Sequence, residues 1–97
     1  MKVGATLSDI LKQPDLGADN SATIYVERPW SLNAKAILLS PAPDTTEDID
    51  RDGGRFAYFI EAFLAREFLD DLASSHAAVM SESDRHERLI VYAETDA

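Results

Sequence analysis

The residues best placed to do chemistry are three aspartates at alternate positions, Asp48, Asp50 and Asp52, followed directly by Gly53. Carboxylates at this spacing, with a glycine for a sharp turn, form the first half of a calcium-binding EF-hand loop. The second half is absent, because the twelfth position, which needs a bidentate glutamate, is Phe59. The sequence therefore predicts no metal site and no cofactor, and solvated carboxylates are the simpler interpretation, although weak calcium binding by this segment stays open.

Other catalytic groupings are missing from the sequence. The chain has no cysteine, which excludes thiolate nucleophiles and cysteine-based zinc sites. His76 and His86 are ten residues apart, which is not the spacing of a zinc pair. We expect His76 near the end of a helix and His86 at the surface. Ser74 and Ser75 lack the Gly-x-Ser-x-Gly turn of a hydrolase. We predict that the protein is not an enzyme, with a small enzyme or ligand-binding domain of unrecognised site as an alternative.

The charge of the chain is strongly one-sided. Its 97 residues include 18 Asp and Glu against 9 Lys and Arg, which gives a formal net charge of -9 at pH 7. A field of this sign repels nucleic-acid phosphates and anionic lipids and attracts basic protein surfaces. The sequence therefore predicts a basic protein partner, with no direct nucleic-acid binding and no membrane binding.

Much of this charge lies between Ser40 and Gly54, a segment with the composition of a long loop. Loops longer than about 12 to 15 residues in a compact domain tend to be functional or disordered. We predict that the partner binds here, on Asp44, Glu47, Asp48, Asp50 and Asp52. Glu27 and Trp30 are expected to join them from the connection between two strands, where Trp30 is either an exposed interface anchor or buried against the sheet edge. A competing acidic surface is expected on the following helix, at Glu67, Asp70 and Asp71.

The boundary between a strand and a helix can be located from the angular positions that the residues would have around a helix axis. The stretch 55–75 is rich in apolar residues, and a single helix would place them on one face at about 100° per residue. Phe56 and Phe59 instead lie nearly half a turn from Phe68 and Leu72. The pattern therefore breaks between Ile60 and about residue 64, which favours a buried strand followed by a helix.

The chain length corresponds to one domain, residues 1–97, on the usual prior of about 100 to 200 residues per domain. Helices are expected at about Leu7 to Gln13 and Leu64 to Ser75, and strands at Ala22 to Glu27, Lys35 to Leu39, Phe56 to Ile60 and Leu89 to Tyr92. This order, α-β-β-β-α-β, is typical of an α+β domain. We expect a mostly antiparallel sheet of about four strands, covered on one face by two helices.

A cytoplasmic location is expected from three features. Ser8, Asp9 and Lys12 interrupt the N-terminal apolar residues before they form a signal peptide. The longest apolar-rich stretch, Phe56 to Ala65, is half the length of about 20 residues that a bilayer requires. The lack of cysteine also fits a reducing compartment.

Several segments together resemble a known group of proteins. They are a Thr-Leu-Ser-Asp-Ile-Leu helix, the strand Ala-Thr-Ile-Tyr-Val, a Trp after it, a Pro-containing acidic loop, and Gly-Arg-Phe-Ala-Tyr-Phe before an amphipathic helix. This layout, from about Thr6 to Ser75, resembles small bacterial immunity proteins of polymorphic or contact-dependent growth-inhibition toxin systems. The resemblance implies a cytoplasmic antidote that binds a cognate toxin domain, commonly a basic nuclease, and occludes its active or substrate-binding surface. It transfers no catalytic residue.

The acidic charge fits this class without being unique to it. A nuclease needs Lys and Arg to hold phosphates, so clustered carboxylates on an inhibitor compete for those groups and accelerate encounter. An acidic regulatory or DNA-mimicking protein for a basic partner would use the same electrostatics and stays open as an alternative. The sequence also leaves open the toxin's substrate, direct or allosteric blockade, and the oligomeric state.

Overall fold

A computed structural model of the chain describes residues 5–18, 21–40, 47–51, 53–76 and 80–95. The elements in chain order are β1 (Ala5–Thr6), α1 (Leu7–Leu11), β2 (Thr23–Glu27), β3 (Lys35–Leu39), β4 (Ile49–Arg51), β5 (Gly54–Glu61), α2 (Ala62–His76) and α3 (Glu82–Thr95). The predicted α+β class is confirmed. The described residues form five strands and three helices, one more of each than expected.

The sheet has the strand order β1-β3-β2-β5-β4, and every neighbouring pair is antiparallel. Strand β2 lies at its centre, where Tyr25 is opposite Ile37 on one side and Tyr58 on the other. All three helices contribute to one core on the face that carries Ile24 and Val26. The prediction that helices cover one face of the sheet therefore agrees with this packing.

Helix α1 begins where the sequence predicts. The Thr6 hydroxyl accepts a hydrogen bond from the Asp9 N–H, and the Asp9 carboxylate accepts one from the Thr6 N–H, each at 3.2 Å. This reciprocal capping satisfies two N–H groups at the helix start. The helix ends at Leu11 rather than at Gln13, because Pro14 disfavours helical geometry in the residue before it.

The predicted break before α2 is confirmed, and the helix follows β5 with no intervening loop. The Ala62 N–H donates to the Ala22 carbonyl at 3.0 Å, which ties the helix start to the beginning of β2. The Arg66 guanidinium donates to the Pro14 carbonyl at 2.8 Å. Gly17, at φ 88°, lies so close to α2 that an added Cβ would be 2.9 Å from the Arg66 Cβ. The segment after α1 is therefore fixed against α2.

The predicted strand at Leu89 to Tyr92 is wrong, because these residues belong to α3. Ser81, expected in a turn, caps this helix: its hydroxyl accepts from the Asp84 N–H at 3.1 Å. A short apolar run of this kind can lie in a strand or in a buried helix, and periodicity over four residues does not separate them. The helical spacing is clear over a longer window, in the buried residues His86, Leu89, Ile90 and Ala93.

The expected surface position of His86 is also wrong, since the residue is 3% exposed on the buried face of α3. Burial in surroundings of low polarity lowers the pKa of its imidazole, because desolvation penalises the charged form. Lys12 and Arg85 lower the pKa further, and Glu82 acts in the opposite direction. The imidazole is therefore packed in its neutral form.

The predicted long loop from Ser40 to Gly54 is wrong in part, because residues 49–51 form β4, which pairs with β5. Asp50 lies opposite Arg55 in this hairpin. The dipeptide Asp52-Gly53 is a strong hairpin signal, since Gly53 can adopt the positive φ of 80° that such a turn needs. Residues 41–46 and 52 of the predicted loop lie outside the described residues.

The helical assignment of α3 predicts opposite effects for two neighbouring residues. Leu89→Ala should lower the free energy of unfolding by about 2 to 5 kcal/mol, because the side chain is fully buried. Val91→Ala should change it by no more than about 0.5 kcal/mol, because that side chain is 55% exposed. Urea unfolding followed by circular dichroism measures both, and a larger loss for Val91→Ala would contradict the assignment.

His86 predicts that the fold becomes less stable in mild acid. The unfolded chain takes up a proton at its ordinary pKa of about 6.5, whereas the folded chain, with its lowered pKa, resists protonation. The His86 contribution is therefore complete above that pH and is lost as the pH falls below it, with a slope of at most about 1.4 kcal/mol per pH unit. Unfolding free energies at several pH values between 7.5 and 5 should show a smaller loss in His86→Leu; an equal loss would refute this.

Candidate functional site

A cleft of about 380 Å³ opens between β5 and the helices α2 and α3. Residues from several separate segments line it: Arg28, Trp30, Asp48, Ala57, Tyr58, Phe59, Ile60, Leu64, Tyr92 and Ala93. Most of these side chains are apolar or aromatic, while Arg28 and Asp48 bring a positive and a negative charge to the same cleft. Volumes of this size are typical of ligand pockets and of the pockets that receive side chains at protein interfaces.

Trp30 is held in the cleft by contacts on several sides. Its indole N–H donates to the Val26 carbonyl at 3.2 Å, and its ring meets Phe59 edge to face with 4.9 Å between ring centroids. The Arg28 guanidinium lies 4.3 Å from the Trp30 ring centroid, a distance at which a cation is attracted to the face of an aromatic ring. Trp30 is half-buried, so it packs on the core and also lines the cleft. Its exposure is thus intermediate between the two positions expected from the sequence, and its role as an interface anchor stays a prediction.

The two long helices supply the opposite wall. Tyr92 of α3 stacks on Phe68 of α2, with 4.8 Å between centroids and 26° between planes. Leu64 and Tyr92 line the cleft while 39% and 41% of their surfaces stay exposed. Stacking fixes one face of the Tyr92 ring and leaves much of the side chain open to a ligand.

The acidic side of the site is partly neutralised. The Arg55 guanidinium donates to the Asp50 carboxylate at 3.1 Å, and both side chains are largely exposed. The hydrogen bond to Asp50 and the charges of Asp50 and Asp48 raise the pKa of Arg55. Asp50 therefore already has a cationic partner. Asp48, by contrast, lines the cleft itself.

The structure brings together several of the residues predicted to bind a partner. Trp30 and Asp48 line the cleft, and Glu27 lines an adjoining depression together with Arg28 and Asp48. A Cβ added at Gly54 would lie 2.7 Å from a carboxylate oxygen of Glu27, so the missing side chain there leaves room for this carboxylate. Glu47 and Asp50, which are close to Asp48 in sequence, are exposed to solvent. Asp44 and Asp52 lie outside the described residues.

The sequence did not predict the helix side of the site. Leu64 is the first residue of a predicted helix and was given no functional role, and Tyr92 was assigned to a strand. The competing acidic surface on α2 is exposed at Glu67, Asp70 and Asp71. Two of these, Glu67 and Asp71, are three and seven residues after Leu64, so they share its helix face. That spacing shows which carboxylates share a face with Leu64, but no local signal in the sequence indicates that Leu64 lines a cleft.

Metal binding gains no support from the geometry. In the ranges that the structure covers, no three His, Cys, Asp or Glu side chains are close enough to hold a metal ion together. Asp50 lies in β4, whereas an EF-hand aspartate lies in a loop that wraps around the ion. Among the helices described, none combines the length and the apolar composition needed to span a membrane.

Comparison of the chain with protein-family models, with curated proteins and with solved structures found no match. The function is therefore inferred from the chemistry of the cleft. The described residues that line it combine apolar and aromatic walls with the charged groups of Arg28 and Asp48.

The Trp30 contacts predict a measurable cost for truncating the indole. Trp30→Phe should lower the free energy of unfolding by about 1 to 3 kcal/mol, because it removes the hydrogen bond to the Val26 carbonyl and part of a ring that packs on Phe59. As a control, Tyr92→Phe removes a hydroxyl from an exposed side chain and should change stability by less than about 0.5 kcal/mol. Urea unfolding measures both variants, and equal losses would show that the indole hydrogen bond is not what stabilises Trp30.

Proposed function

We propose that this chain binds a basic protein and neutralises it, as an immunity protein neutralises a toxin domain by occluding its active or substrate-binding surface. The observation that carries the proposal is the cleft, where exposed aromatic and aliphatic side chains adjoin Asp48 in a chain of net charge -9. The resemblance of residues 6–75 to immunity proteins narrows the partner to a toxin, with a nuclease domain as the expected kind.

Charge and apolar surface contribute different things to such a complex. Clustered carboxylates attract a basic surface over a distance and raise the association rate, up to about 10⁸ to 10⁹ M⁻¹s⁻¹ at low salt. Large apolar and aromatic side chains that become fully desolvated supply most of the binding energy. The cleft and the acids around it offer both in one region of the surface.

Occlusion of a nuclease follows from the same charges. A nuclease active site is surrounded by Lys and Arg that hold the phosphates of its substrate. Carboxylates bound to those side chains compete directly with nucleic acid, so the inhibitor needs no catalytic group of its own. This is consistent with a cleft whose walls are mainly apolar and aromatic side chains.

The proposal predicts rescue and complex formation. Co-expression of the chain with the toxin-like product of the adjacent gene should keep cells alive, and the two proteins should co-purify. Cell death despite expression of the chain, or an adjacent product that is not toxic, would contradict the proposal. Co-purification with a transcription or chromatin protein, without rescue, would identify the acidic regulatory alternative.

Charge variants locate the acidic part of the contact in the same experiment. Replacement of Asp48, Asp50 and Asp52 with Asn should slow association by about ten-fold at low salt and weaken its salt dependence, with the fold intact. A control with the same net charge changes three acids outside the cleft and outside the acidic surface of α2, as Asp15→Asn, Glu61→Gln and Glu82→Gln. If both triple variants associate at equal rates, the effect comes from total charge and the predicted acidic segment is not the contact.

A further inference from the structure

The large apolar side chains that the structure leaves exposed are concentrated on α2 and α3. Among the described residues, four large hydrophobic side chains are exposed, and three of them are on these helices: Leu64, Val91 and Tyr92. Leu64 and Tyr92 both line the cleft, whereas Val91 lines a separate depression with Glu87 and Arg88. We call Leu64 and Tyr92 the helix-pair surface. Exposed apolar side chains that adjoin a cleft mark interaction sites more often than scattered ones do.

Carboxylates adjoin the cleft on two sides. Asp48 lines it, and on α2 Glu67 and Asp71 lie on the face of Leu64. Two cations are also close: Arg28 lines the cleft, and Arg88 is one helical turn before Tyr92. In a chain of net charge -9 these carboxylates keep the surroundings of the cleft negative, which complements a partner with Lys or Arg around an apolar side chain.

The cleft provides a pocket for that side chain. Its floor is fixed by the Trp30 hydrogen bond and by the contact of Trp30 with Phe59, and its outer wall is Leu64 and Tyr92. A pocket whose walls are already packed loses little conformational entropy when it is filled. Aromatic pockets surrounded by polar residues are where binding energy concentrates at protein interfaces.

We propose that the partner docks on the helix-pair surface by inserting a large apolar side chain, flanked in its own surface by Lys or Arg, into the cleft between Trp30, Leu64 and Tyr92. That the partner is a toxin domain rests on the proposed function above. The basic and apolar character of the partner's contact surface does not rest on that function, because it is inferred directly from the apolar pocket and the carboxylates beside it. The binding energy then lies mainly on the helices, and the acidic segment around Asp48 mainly sets the association rate.

Two other occupants of this surface are opposed by charge. A second copy of the chain would bring Asp48, Glu67 and Asp71 against acids of the same sign, and like charges in a contact are destabilising. An anionic lipid surface would be repelled in the same way. A basic protein segment is the occupant for which both the pocket and its rim are favourable.

The tryptophan content of the chain makes the cleft directly observable. Trp30 is the only tryptophan, so a change in intrinsic fluorescence reports occupancy of the cleft. The probe is the tryptophan-free peptide Lys-Lys-Phe-Leu-Lys-Lys, with Glu-Glu-Phe-Leu-Glu-Glu and Lys-Lys-Ser-Gly-Lys-Lys as charge and apolar controls. The first should cause a saturable change in Trp30 emission, at a concentration at least about ten-fold below that of either control. Equal responses to all three peptides would overturn the proposal.

Two leucines of matched exposure separate the helix-pair surface from apolar surface elsewhere. Leu64 is 39% exposed in α2, and Leu38 is 37% exposed in β3, which β2 separates from β5. Leu64→Ser should weaken binding of the Lys-Phe-Leu peptide, and of a catalytically inactive cognate toxin, by about ten-fold or more, while Leu38→Ser should not. Equal effects of Leu64→Ser and Leu38→Ser would overturn the docking site.

The two proposals fail in different ways. If wild-type chain and Leu64→Ser protect cells from the toxin and bind it equally well, the docking site is wrong and the proposed function stands. If the wild-type chain gives no protection but its Trp30 responds selectively to the basic apolar peptide, the docking chemistry stands and the toxin assignment fails. Sedimentation that shows a dimer broken by Leu64→Ser, with no peptide response, would overturn docking of a basic partner in favour of self-association.

Discussion

The direct passage from β5 into α2 is the constraint on which the rest of the structure depends. Strand β5 ends at Glu61 and α2 begins at Ala62. The Ala62 N–H donates a hydrogen bond to the carbonyl of Ala22, the residue before β2. With no loop to absorb a change of direction, the first turn of α2 is fixed relative to the centre of the sheet. Leu64 is therefore held beside Phe59 and Ile60, where one side of the cleft is formed.

The position of α3 is set by the burial of its apolar side chains and not by a direct connection to a strand. Leu89, Ile90 and Ala93 join the same core as the sheet, and the stack of Tyr92 on Phe68 sets how α3 lies against α2. A tight core on one side of α3 leaves the other side to solvent. The exposed Val91 is a consequence of this rotation, since a helix that buries Leu89 and Ala93 must turn the residue midway between them outward.

Local signals account for what the sequence predicted. The Thr6 cap, the β-branched residues of β2 and the broken apolar face between Ile60 and residue 64 each lie within a short window, and each prediction matches the fold. The errors have local causes too: four apolar residues at 89–92 do not separate strand from helix, and the acids around the hairpin turn obscured its Asp-Gly signal. The cleft could not be predicted, because its walls come from segments distant in sequence. Only Trp30 and Asp48 pointed to it.

Charge also bears on how such a surface can remain exposed at all. A chain that leaves Leu64, Val91 and Tyr92 exposed to solvent risks association with its own copies, because apolar surface associates non-specifically with other apolar surface. A net charge of -9, with Asp48, Glu67 and Asp71 near the cleft, makes each copy repel the next. The same repulsion becomes attraction when the approaching surface is basic. In the proposed complex, carboxylates around the apolar patch would favour a basic partner over another copy of this chain before the apolar contact forms.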